Sequence, residues 1–233
     1  MASRGQWWRV VVGLLIFGVA FGYIEAAVVA YLRSMYAPLR AQLYPTVPPG
    51  ELFPLLTLDQ LTAFGPEHAV RIKIELGREF ATLAMLASVG LIAARRAREW
   101  IAIFIVCFGV WDIAFYLFLK LLLNWPASLF TWDILFLLPV PWVGPVIAPM
   151  LVSISMIVAG LVVLWREYND NPVCIAKSRW VAIILGGAIV VAAFVWDFRN
   201  TGIGGSPNPF NWLLFFVGEL TGLLAFASAL RSR

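Results

Sequence analysis

WIAIFIVCFGVWDIAFYLFLKLLL, residues Trp100–Leu123, decides what kind of protein this is. Its charged residues are Asp112 and Lys120 alone. The run exceeds the ~20 apolar residues that an α-helix needs to cross a bilayer. A helix also satisfies its own backbone polar groups where no water is available. Comparable runs along the rest of the chain predict an all-α membrane protein, a six-transmembrane-helix bundle in one domain over residues 1–233. The expected spans are about 10–32, 74–94, 100–123, 143–165, 179–198 and 211–230.

Composition agrees. The chain is 62% hydrophobic and 13% charged, with a mean hydropathy of +0.88; soluble domains carry about 25% charged residues. The net charge of +4 is no nucleic-acid signature, because Lys and Arg cluster in short connections between apolar runs. Cys107 and Cys174 form neither a disulfide framework nor a metal knuckle. The N-terminal apolar run continues to about Tyr31 without a clear cleavage site, so it reads as an uncleaved first span.

Basic residues set the expected orientation. Arg4 and Arg9 precede span 1, Arg95, Arg96 and Arg98 separate spans 2 and 3, and Arg166, Lys177 and Arg179 border the 4–5 connection. Arg231 and Arg233 end the chain. With six spans all of these share one side, and the positive-inside rule makes both termini cytoplasmic.

The opposite, outer side carries the long 34–73 loop, with Pro38, Pro45, Pro48, Pro49, Pro54 and Pro66. So many fixed φ angles predict an ordered surface. Within it, TLDQLTAF reads as a short helix ended by Gly65-Pro66, and Pro66 suits an early start of the second span's helix. That helix would carry Glu67, His68, Arg71 and Lys73 above the membrane. ILFLLPVPWVGPVIAPM (134–150) cannot join the apolar run up to Trp165 in one straight span. A helix from Ile134 to Trp165 would run about 48 Å against a core of about 30 Å. Its four prolines predict a re-entrant segment turning near Trp142-Val143-Gly144, or else a kinked helix in the interface.

Three of the five aspartates follow a tryptophan: Asp112, Asp133 and Asp197. Counting along each span separates them. Asp112 falls about 18 Å above the cytoplasmic end, Glu25 and Glu79 about 22 Å, and Glu219 about 17 Å. Glu75, Asp133 and Asp197 fall nearer the outer interface. A charged carboxylate at mid-membrane costs roughly 2.5–3.5 kcal/mol. The four deep acids are therefore expected to face inward, pair or become protonated. Small-residue stripes, Gly18-Gly22-Ala26-Ala30 in span 1 and Gly218-Gly222 in span 6, lie near Glu25 and Glu219 and would pack helices closely.

The expected pocket is acidic and sits in the outer half of the bilayer. Glu25, Glu79, Asp112 and Glu219 line it, with Arg78 as counter-charge and paired to Glu75 at i,i+3. Tyr116, one turn from Asp112, is placed to hydrogen-bond it, while Lys120 either snorkels or meets Asp133 or Glu25. Lys120, Asp133 and Asp197 would line the mouth. Trp111, deep in span 3, needs a buried partner for its indole N–H.

These groups suit a small cationic or proton-coupled solute, bound or transported. They also suit a carboxylate-dependent enzyme, using Mg²⁺ or Mn²⁺ or acid–base chemistry on a lipid or isoprenoid. A third reading is an accessory or structural subunit of a membrane complex. No HExxH, P-loop or GxSxG pattern is present, His68 is the only histidine, and the cofactor is open. The expected surroundings are the lipid bilayer, with a small cation, proton or lipid as ligand, no nucleic acid, and room for homo-oligomers.

The run WDIAFYLFLKLLLNWPASLFTWDILFLLPVPWVGPVIAP, with YIEAAVVAYLR and ELGREFATLAML, resembles an uncharacterised family of bacterial integral membrane proteins. The resemblance spans most of the chain. It implies a bacterial inner-membrane setting and carries no activity or catalytic residue.

Overall fold

Among the described residues, 4–48 and 50–231 of the computed structural model, six helices are long and apolar enough to cross a membrane. They are α1 (Arg4–Leu43), α3 (Glu67–Ala93), α4 (Ala97–Leu123), α5 (Ile147–Tyr168), α6 (Lys177–Val195) and α8 (Trp212–Arg231). Two short helices, α2 (Leu58–Phe64) and α7 (Phe198–Gly202), lie between them. Pro49, Arg233 and the side chain of Arg4, each used in reading the sequence, lie outside the described residues.

The first helix overruns its expected end. It continues through Pro38 to Leu43, about 60 Å at 1.5 Å per residue. Proline removes one N–H from the helical ladder, but here the helix passes it. The 34–73 segment therefore opens as helix, becomes irregular after Leu43, and folds into α2. A capping box starts α2: Gln60 N–H donates to Thr57 Oγ1 at 3.2 Å, and Thr57 N–H donates to Gln60 Oε1 at 2.9 Å. Gly65 ends it, and Pro66 leads into α3, as the sequence predicts.

The proline-rich 134–150 segment is broken as expected, and it is not a kinked helix. It forms an antiparallel hairpin of β1 (Trp132–Phe136) and β2 (Trp142–Pro145). Trp132 pairs with Pro145, Asp133 with Gly144 and Ile134 with Val143, and an irregularity before Phe136↔Trp142 shifts the register. The turn lies at 137–141, so Trp142-Val143-Gly144 is strand, not bend. The reason is local. Prolines at 139, 141 and 145 deny helical hydrogen bonds, while the aromatic and branched residues between them suit strands. The hairpin also prepares α5: Val146 N–H donates to Thr131 O at 3.0 Å and Ile147 N–H to Leu129 O at 2.8 Å. These bonds satisfy donors that a helix start otherwise leaves open.

Helices α1 and α4 pack closely along the predicted small-residue stripe. A Cβ at Gly22 would stand 2.7 Å from Ala114 Cβ and 2.9 Å from the Phe115 N and Trp111 O backbone atoms. Only glycine permits that approach. The α6–α8 crossing works in the same way, with a Cβ at Gly218 only 2.7 Å from Gly186 O. The main core lies among α1, α3, α4 and α5 around Leu14, Phe21, Leu86, Ile103, Val106 and Trp111. A second cluster joins α6, α8 and the start of α5 around Phe194, Phe215, Val190 and Ala148.

One end of the bundle holds an ion-pair cluster. Glu99 and Glu167 are both buried. Glu167 meets Arg96 at 3.1 Å and Arg98 at 2.9 Å, and Glu99 meets Arg95 at 3.2 Å. The arginines that signal topology in the sequence thus also clamp α4 to α5.

Candidate functional site: an internal cavity with a polar outer half

A cavity of about 930 Å³ runs between α1, α3, α4 and α5 on one side and α6 and α8 on the other. Glu25, Glu79, Asp112 and Glu219 all line it, together with Arg78, Tyr116 and Asp133. Lys120 and Asp197 do not.

Arg78 holds the α1–α3 side together. Its guanidinium pairs with Glu25 of α1 and with Glu75 one turn away. Its Nε donates to Glu75 at 2.9 Å. Thr82 Oγ1 donates to the other Glu25 oxygen at 3.0 Å, so Glu25, 5% exposed, is fully engaged. The expected counter-charge is thus present, and it joins two helices.

Glu79 points to the hairpin instead. Both its oxygens accept from the Leu137 backbone N–H at 3.0 Å. Irregular backbone at membrane depth survives only within protein. Glu79 satisfies one such group, and aromatic neighbours surround the strands: Phe136 packs on Phe108 and Trp142, and Trp142 stacks on Phe194.

Asp112 takes a different partner from the expected one. Ser153 Oγ on α5 donates to it at 2.8 Å, whereas Tyr116 donates to Asp133 at 3.0 Å. The tyrosine ring reaches outward beyond its own turn, where β1 brings Asp133. Ser155, two residues along α5, lines the same cavity beside Glu219. Two residues of helix rise only about 3 Å, so α5 holds Asp112 and Glu219 at nearly one level. Neither acid has a basic partner among the described residues, and Glu219 Oε1 is buried with no hydrogen-bond donor there.

Asp133 is buried within the fold. Burial raises its pKa to about 6, although Arg33 at 3.7 Å and the Tyr116 hydroxyl both favour the charged form. Arg33 also stacks on Trp125, with its guanidinium carbon 3.7 Å from the ring centre.

Two expected mouth residues are elsewhere. Lys120 is exposed and donates to Pro126 O at 3.0 Å and Asn124 O at 3.4 Å, fastening the end of α4. Free backbone carbonyls at a helix C-terminus attract a cation there. Asp197 ties the loop after α6: it accepts from Asn200 Nδ2 at 3.0 Å and from Asn208 N and Nδ2 at 2.8 Å. Slight burial opposes its ionisation, but these donors outweigh it and hold its carboxyl below the usual range.

The partner expected for the Trp111 indole is not found. Its Nε1 is buried without a hydrogen bond among the described residues, and Phe21, Phe108 and Phe136 surround the ring.

Several cavity residues carry no signal in the sequence. Ser153 and Thr82 have no charge to mark them among apolar neighbours. Arg33, Arg40 and Arg71 are visible as charges, but the sequence places Arg33 and Arg40 in or beside a loop and Arg71 on a helix projecting above the membrane. The length of α1 is the missing information, because it turns Arg33 and Arg40 into helix residues facing the cavity.

Among the described residues, no three His, Cys, Asp or Glu side chains gather closely enough to hold a metal ion. The chain matches no protein-family profile, no curated protein and no solved structure, so the resemblance to a bacterial membrane family finds no counterpart.

Proposed function

We propose that this chain is a multi-pass protein of a bacterial inner membrane that binds and carries a proton-coupled solute through the acid-lined cavity. Both termini are cytoplasmic in this reading, because the short arginine-bearing connections share one side. The observation that carries it is the pair Asp112 and Glu219. They come from separate helix groups, line one cavity and have no basic partner among the described residues, and Asp112 accepts from the Ser153 hydroxyl of α5. Carboxylates in that position suit taking up and releasing protons.

Infrared difference spectra between acid and alkaline buffer test the reading on purified protein. A carboxylic-acid carbonyl band should be present, and it should shrink in Asp112→Asn and in Glu219→Gln. A spectrum that neither variant changes would remove both residues from proton exchange.

A further inference from the structure

The cavity has a direction. Its carboxylates and four of its arginines occupy the half next to the outer loop, and its other half is walled by Ile105, Val163, Leu223 and Phe226, with Arg98, paired to Glu167, at the far end. Side-chain contacts fix the levels. Tyr36 of α1 lies against His68 of α3, ring centres 5.6 Å apart, and Glu25 pairs with Arg78. Numbers fall on one helix as they rise on the other, so the two run antiparallel. Arg33 and Arg71, each three residues inward of that aromatic contact, then share a level about 5 Å below it. Arg40 stands about one turn outward of Tyr36.

These three arginines differ in what they hold. Arg33 is engaged by Asp133 and Trp125. Arg40 donates through Nη1 to Pro54 O at 2.6 Å and has the Glu51 carboxylate in its surroundings, but its Nη2 is buried and has no hydrogen-bond partner among the described residues. Arg71 lines the cavity with no ion pair or side-chain hydrogen bond among the described residues. A buried guanidinium N–H left open is costly, and carboxylate or phosphate oxygens match it best.

We infer that the solute is an anionic amphiphile: its phosphate or carboxylate head is held by Arg40 and Arg71 at the outer mouth, and its hydrocarbon chain fills the apolar half towards Gly222 and Phe226. This rests on the cavity being the solute site, as proposed above, and it names the solute class. Head and chain are both required. A bare anion would leave the apolar half of a 930 Å³ space unfilled, and a neutral chain would leave the arginine donors open. Ligand pockets of about 300–1,000 Å³ are typically apolar with a few placed polar groups, which is the arrangement here.

The test uses purified protein in a sterol-based neutral detergent, free of competing alkyl chains, with binding followed by thermal stabilisation. The probes are octyl phosphate, inorganic phosphate and octyltrimethylammonium. Octyl phosphate should stabilise the protein, and Arg71→Gln and Arg40→Gln should each weaken its binding about tenfold, the loss of one charge-assisted hydrogen bond. Gly222→Leu should weaken hexadecyl phosphate, tested alongside, since only a chain that long spans the roughly 20 Å from Arg71 to Gly222, and a Cβ there meets nothing within 4 Å and would extend into the chain's space. This variant is remote from the head, so it decides the matter if an arginine variant fails to fold. Equal stabilisation by octyltrimethylammonium would overturn the anionic head, and equal stabilisation by inorganic phosphate would overturn the chain. Wild-type affinity in both arginine variants would overturn the site. The infrared signal reports the acids and the binding curve reports the arginines, so either reading can fail alone.

Discussion

Ser153 donates its hydroxyl to Asp112 at 2.8 Å, joining α5 to α4 where both side chains are buried and an unpaired carboxylate is costly. Removing the donor should hurt more than removing the acid. Ser153→Ala leaves a buried acceptor open and is expected to cost about 1–3 kcal/mol. Adding Asp112→Asn to Ser153→Ala should recover part of that loss. Thermal unfolding of the two single variants and the double variant measures the coupling, and strict additivity would mean that the contact contributes nothing.

Arg78 neutralises Glu25 across the α1–α3 gap, with the glutamate side chain 6% exposed and the arginine 24%. Arg78→Gln should strand Glu25 and cost up to about 3–5 kcal/mol. Glu25→Gln in the same background should restore much of it. If the double variant is as unstable as Arg78→Gln, the ion pair is not the cause.

Glu79 should hold the hairpin turn through Leu137. Glu79→Ala is expected to speed hydrogen exchange of the Leu137 amide and its neighbours by roughly tenfold, the loss of one hydrogen bond to a charged group. Exchange elsewhere should stay unchanged. Uniformly faster exchange would point to global destabilisation instead.

Gly22 should not tolerate a side chain, because the atoms around it are largely backbone. Gly22→Val should lower stability by about 1–3 kcal/mol or more, or abolish the folded yield. Gly13, on the same helix, has nothing within 4 Å of its Cβ position, so Gly13→Ala should be neutral. Size-exclusion profiles and thermal unfolding compare the two.

Asp133 and Asp197 should give stability opposite dependences on pH. The folded-state value of Asp133 is raised from 3.8 to about 6, so the native state holds the proton more tightly. Its contribution is complete below about 3.8 and is lost as pH rises through about 6. Asp197 is lowered from 3.8, so its contribution is present above that value and lost as pH falls below it. Thermal unfolding against pH should lose the first slope in Asp133→Asn and the second in Asp197→Asn. Unaltered slopes would show that other groups set the dependence.

The span count, the α2 cap, the Pro66 start and the two glycine crossings are legible in sequence because each rests on local rules. These are apolar run length, turn chemistry, and small residues at helical spacing. Height along a residue's own helix is legible too, since rise along a helix is constant. The partners are not. Helical proximity matches Asp112 to Tyr116, yet Ser153, 41 residues away, holds it.

By itself, then, the sequence determined six spans and a break at 134–150. Only the tertiary structure decided that the break is a hairpin, that Lys120 and Asp197 fasten loops, and that Arg33, Arg40 and Arg71 face the cavity. The physical reason is that periodicity fixes a residue's height on its own helix. Which charges meet depends on how helices rotate and approach one another, and that is set by packing between segments far apart in the chain.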